Sequence, residues 1–106
     1  MTPKPISIID QNADRVATVD VVLCDDHYEG HISLASTPPH LKQLFEQFEE
    51  VVEGQMFSLL DGVIEKIEHA RLRVVYEDGT EEYASDLQVF PSRNTVSFKV
   101  RQPAPV

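Results

Sequence analysis

Apolar and polar residues alternate through Val16–Cys24. Val19, Val21 and Leu23 fall on one face, Thr18 and Asp20 on the other, which is the two-residue period of a half-buried strand. Tyr28–Ala35 reads as its partner, with Ile32 and Leu34 on the buried side. Asp25 and Asp26 between them favour a turn, because an Asp side chain bonds its own backbone. A hairpin is expected, with Gly30 marking a bulge in its second strand.

The period changes after Ser36-Thr37-Pro38-Pro39. Ser and Thr suit the N-cap of a helix and Pro suits its first turn. The apolar positions 41, 45, 48, 52, 56, 59, 63 and 67 then advance in steps of three and four, close to the helical period. Gly54 and Gly62 lie inside this phase, and each weakens a helix by about 1 kcal/mol relative to Ala. Ser58 and Asp61 have the spacing of a capping box. Two helices are expected, about 39–53 and 58–69, meeting at a kink or short break near Gly54. The rival reading makes Met56–Leu60 and Val63–Ile67 short strands around an Asp61-Gly62 turn. The alternation over 63–68, Val-Glu-Ile against Ile-Lys-Glu, weighs against it.

The remainder reads as a meander. Leu72, Val74 and Tyr76 alternate with Arg73 and Val75, and Glu77-Asp78-Gly79-Thr80 turns the chain. A return strand runs from about Glu81 through Tyr83. Leu87, Val89 and Phe90 form a further apolar segment ended by Pro91, and Val96, Phe98 and Val100 form the last strand. The order is ββααβββ, with Ile6–Ile9 a candidate sixth strand. Segregated strands and helices predict the α+β class: an antiparallel sheet of about five strands with a kinked helix or two helices across one face.

Composition narrows the class of protein. The 106 residues fit one domain spanning 1–106, with loose ends expected at about 1–5 and 102–106, where prolines cluster. A 42% hydrophobic content argues against wholesale disorder. The single cysteine excludes an internal disulfide and fits a reducing compartment. No apolar run approaches the ~18–20 residues of a membrane span, and Ile6, Ile8 and Ile9 make too short a stretch for a signal segment. A cytoplasmic protein without a membrane partner is expected. The net charge of −9, from 18 acids and 9 bases, repels phosphate, and the densest basic stretch, Arg93, Lys99 and Arg101, is thin. Nucleic acid is therefore disfavoured as a partner.

Three features carry candidate chemistry. Cys24-Asp25-Asp26-His27-Tyr28-Glu29-Gly30-His31 holds a thiol, two imidazoles and three carboxylates within eight residues. Cys24, His27 and His31 have a spacing that offers zinc three ligands and an open position. His27, Glu29 and His31 would share the solvent side of the strand, with Cys24 reaching across the turn. The competing reading is a polar hairpin tip with Cys24 packed as a small apolar residue. A nucleophilic Cys24 is disfavoured, since Asp25 and Asp26 repel a thiolate. The second feature is an acidic band, Glu46, Glu49, Glu50 and Glu53, on the first helix, with Glu77, Asp78, Glu81 and Glu82 at the meander turn. Neither run has calcium-loop spacing. Each is either a solvated face or a docking surface for a basic partner. Third, the apolar inventory over 44–67 is large for two short helices on a small sheet, so it closes a monomer's core or meets a second copy in a homodimer.

A Gly-rich phosphate loop, a GxSxG elbow, HExxH and CxxC are all absent from the sequence. These features favour a small acidic cytoplasmic protein, more a binder than an enzyme and without a cofactor. Such a protein would act through protein–protein contact as an adaptor, accessory subunit or inhibitor- or immunity-like protein. The second reading is a metal-binding or small hydrolytic protein using Cys24, His27 and His31. The third is a ligand-binding module with a pocket between helices and sheet.

Overall fold

The computed structural model describes residues 3–101. Its elements are β1 (Lys4–Ile9), β2 (Arg15–Cys24), β3 (His27–Ser33), α1 (Pro39–Glu53), α2 (Phe57–His69), β4 (Arg73–Val75), β5 (Glu81–Phe90) and β6 (Thr95–Arg101). The class is α+β with two helices and an antiparallel sheet, as expected from the sequence, with a sixth strand and a closure that the expectation did not include. Six antiparallel strands close into a barrel in the order β1-β2-β3-β6-β5-β4. The candidate strand at Ile6–Ile9 is real and is the closing stave. It pairs with β2 on one side (Ile6↔Val19) and with β4 on the other (Ile8↔Val74). Lys4 and Pro5, expected to be loose, lie in register opposite Val21 and Asp20. The expectation for 1–2 and 102–106 falls outside the described residues.

The alternation read from the sequence sets the inward face. Ile6, Ile8, Val19, Val21, Val74 and Phe98 are each no more than 2% exposed. Leu23 departs from it: next to the turn that closes the β2–β3 hairpin it is 48% exposed. A six-stranded barrel needs strong coiling, which bulges and glycine kinks supply. Pairing between β1 and β2 shifts between Ile8 and Ile9, leaving Val16 as the extra residue. Pairing between β5 and β6 shifts between Ser85 and Gln88, leaving Asp86 and Leu87 opposite Phe98. Asp86 adopts a left-handed φ of 50° there. That bulge joins what the sequence shows as two separate apolar segments into one strand. Gly30 is not a bulge, for the β2–β3 register runs unbroken from Cys24↔His27 to Thr18↔Ser33. A Cβ at Gly30 would lie 1.9 Å from the Asp20 carbonyl oxygen, so the two backbones approach where only glycine fits.

The helices fall where the apolar phase and Gly54 put them, and the two-strand rival over 56–67 is ruled out. The junction is built differently from expectation. Gly54 stays right-handed (φ −83°), while Gln55 takes the left-handed conformation (φ 55°), and the Met56 N–H bonds the Val51 carbonyl at 2.9 Å. This break resets the helical phase. Leu41, Phe45, Phe48 and Val51 are buried from α1, and Val63 and Ile67 from α2, but Met56 and Leu59 are 37% and 55% exposed. Neither expected cap forms: the N-cap residues are Pro38 and Met56, without side-chain caps. Thr37 instead donates its hydroxyl to the Val16 carbonyl, 2.5 Å away at the bulge. That bond satisfies a carbonyl that the bulge takes out of the ladder.

Candidate functional site

Two of the sequence-derived candidates are held inside the protein's own network. At the hairpin tip, Cys24 pairs with His27 in register. His27 Nδ1 lies 3.3 Å from Asp26 and its Nε2 3.3 Å from Glu29. Lys99 on β6 reaches Asp26 at 3.5 Å and Asp86 at 3.9 Å. Hydrogen bonds from the imidazolium to the Asp26 and Glu29 carboxylates hold the His27 pKa above its ordinary value. His27, with Lys99, holds Asp26 below the usual carboxylate range. The Cys24 thiol and His27 do the same for Glu29, and the Glu29 hydrogen bond, with some burial, pushes the Cys24 thiol up. A raised pKa disfavours the thiolate, which is the nucleophilic form. His31 is exposed and sits in register opposite Asp20 and Thr95. Both His27 nitrogens face carboxylates, and among the described residues no group of three or more His, Cys, Asp or Glu is arranged to hold a metal ion. The geometry ties the tip to β6.

The acidic band on α1 is also partly engaged. Glu49 accepts from the Ser92 N–H at 3.2 Å and the Ser92 hydroxyl at 2.6 Å, and Glu53 pairs with Arg93. The Arg93 guanidinium lies 4.8 Å above the Phe90 ring, and Phe90 meets Phe48 edge-on at 5.9 Å between ring centres. These contacts clamp α1 to the β5–β6 turn. Glu46 and Glu50 remain exposed on its outer side.

The third candidate leads to an open feature. After the turn at Gln55, α2 packs against α1 and stands off β5, and the space between is a groove of about 640 Å³. Phe48 and Val52 of α1 and Leu72 lie along it. Phe57, Leu60, Ile64 and Ile67 of α2 form one wall, and Tyr83–Gln88, including the bulge, form the other. Its charged lining is Glu68, Arg71 and Asp86. Arg71 follows α2 in the left-handed conformation (φ 51°), and its N–H closes the helix on the Glu68 carbonyl at 3.0 Å. Phe57 is 62% exposed and Tyr83 45%. The volume falls within the range of about 300–1,000 Å³ common for binding sites. The sequence carried two signals of this groove, the apolar surplus over 44–67 and the break at Gly54. It did not show that Tyr83–Gln88 lies opposite. Comparison with protein-family models, curated proteins and solved structures found no match to this chain.

Proposed function

We propose that this protein is a non-catalytic interaction module that docks a protein partner in the groove between α2 and β5. The observation that carries this reading is the apolar stripe of α2: Phe57, 62% exposed, continues through Leu60 and Ile64 along the groove wall. Removing apolar surface from water contributes about 25 cal/mol per Å², so an apolar strip framed by charged residues favours a partner that covers it. The reading extends to an adaptor or accessory subunit in a reducing, cytoplasmic compartment, where the lone thiol of Cys24 stays reduced. A second copy of the chain is the less favoured occupant, since each copy carries a charge of −9 and self-pairing would bring like charges together.

A photo-crosslinking side chain at position 57, compared with one at position 46 on the outer face of α1, tests the proposal in cells that produce the protein. A discrete protein adduct is expected at 57 and not at 46, and Tyr83→Lys should weaken it. Equal adducts at both positions, or none at 57, would refute the docking site. Sedimentation of the purified protein across concentration checks self-association, with a monomer expected.

A further inference from the structure

The groove's walls and charges select among protein partners. Along α2 the residues that line it recur at 57, 60, 64 and 67–68 and end at Arg71, which is one helical stripe. From Phe57 to Glu68 this wall is about 16 Å long at 1.5 Å per residue. On the side of that stripe away from the buried Val63, the residues Asp61, Glu65 and Glu68 recur at the same helical spacing, and all three are exposed. An acidic row therefore runs beside the apolar row, and Asp86 adds a carboxylate on the opposite wall. Among the described residues Arg71 is the single cation on the lining.

The opposite wall restricts the partner's conformation. β4 pairs with β5 through Glu81–Tyr83, and the Ala84 N–H bonds the Leu72 carbonyl just before β4 at 3.1 Å, so Ser85–Gln88 runs beyond it along the groove. A strand added to that edge would need N–H and C=O groups repeating every two residues. The bulge at Asp86 and Leu87 interrupts that repeat, a device that blunts strand edges. A helix needs no backbone pairing from its host and offers apolar residues at the spacing the α2 wall presents.

We infer that the groove's occupant is a single amphipathic helix from another protein, about three turns long, with an apolar stripe flanked by Lys or Arg. This inference rests on the docking reading above. The basic flank meets Asp61, Glu65 and Glu68, and the apolar stripe covers Phe57, Leu60 and Ile64. The same acidic row disfavours an anionic lipid surface and a second copy of this acidic chain.

Three labelled fourteen-residue peptides test it by fluorescence anisotropy on the full chain. One has a Leu stripe at helical spacing, Lys flanks and helix-favouring residues. The second replaces Lys with Glu. The third keeps the composition of the first but alternates apolar and basic residues in a strand pattern. The Lys helix should bind at least tenfold tighter than either of the others. Phe57→Ser should weaken it about tenfold, and Glu68→Lys should narrow its advantage over the Glu peptide. Binding of the Glu peptide as tight as the Lys peptide overturns the basic partner, and preference for the strand pattern overturns the helix. If all three peptides fail while crosslinking at 57 still yields a discrete adduct, the helical occupant is wrong and the docking site stands. If both fail, the docking site itself falls.

Discussion

The two helices have comparable apolar content and opposite fates. α1 buries Leu41, Phe45, Phe48 and Val51 in the core shared with the barrel, and Glu49 and Glu53 tie its last turns to Ser92 and Arg93. α2 buries only Val63 and Ile67, while Phe57 and Leu59 are more than half exposed. The difference lies in what each helix packs against. α1 lies on β5, where Phe48 meets Phe90, whereas α2 rests on α1 and leaves a groove toward β5. Apolar residues in a sequence thus divide between those that hold a fold and those a fold holds out. Local periodicity does not distinguish them, because the division depends on the neighbour.

The sharpest way to break this comparison is to truncate one ring from each helix. Phe45 is 1% exposed, and Phe45→Ala should destabilise the protein by about 3–5 kcal/mol through lost burial and a residual cavity. Phe57→Ala should change stability by less than about 0.5 kcal/mol, as surface substitutions usually do. Urea denaturation followed by circular dichroism measures both. A loss of several kcal/mol at Phe57 would mean that α2 packs into the core and that the groove is closed in solution.

Val63→Ala comes next in size. Val63 is 6% exposed and belongs to the core cluster, so the substitution should cost about 1–2 kcal/mol of transfer and cavity energy, less than Phe45→Ala. Amide exchange in α2 should speed up more than in α1, since α2 has fewer buried anchors. Equal acceleration in both helices would show them unfolding as one unit and would weaken the distinction between them.

The helices themselves were legible because Gly54 and the three-and-four spacing are local signals. The strands were legible from alternation at Val19–Val21, Leu72–Tyr76 and Val96–Val100, each of which sets residues on opposite faces of a pleat. Barrel closure was not legible. It depends on β1 pairing with both β2 and β4, and pairing between strands far apart in the chain leaves no local period. The bulge at Asp86 was visible only as a gap in alternation between Tyr83 and Leu87, and the close approach at Gly30 only as a glycine. The candidate metal trio, Cys24, His27 and His31, came from spacing alone. Spacing could not foresee that Asp26 and Glu29 would take both nitrogens of His27.

A smaller effect sharpens how α1 is held. The Glu53–Arg93 pair is exposed on both sides, and such pairs contribute about 0.2–1 kcal/mol. Glu53→Gln should therefore lower stability by no more than that, and the loss should shrink in 1 M salt, where the Debye length falls to about 3 Å. Denaturant midpoints at low and high salt measure it. A loss above 2 kcal/mol would make the polar clamp, rather than the buried rings, the chief anchor of α1.

The weakest tie lies on the other wall of the groove. Asp86 is joined through Lys99 to Asp26, and Asp26 to His27, so exposed charge pairs add to the β3–β6–β5 ladder in linking this lip to the hairpin tip. The His27 pKa is raised by Asp26 and Glu29. Its contribution is therefore fully present below the unfolded value of about 6.5 and lost as pH rises through the folded value. The carboxyls of Asp26 and Glu29 are depressed, so their contribution is present above their unfolded values of about 4 and lost as pH falls through the folded ones. The tip is thus held best in the window from about pH 4 to 6.5, where imidazolium and both carboxylates coexist. An NMR titration of the His27 ring should show its midpoint above the ordinary value, with Asp26→Asn and Glu29→Gln each lowering it. The Lys99 and Asp86 amide signals should shift with the same midpoint. A His27 midpoint indifferent to both substitutions would overturn the carboxylate clamp on its ring, and Lys99 and Asp86 signals that ignore that midpoint would disconnect the tip from the lip, leaving the bulge at Asp86 and Leu87 to shape that wall through its backbone alone.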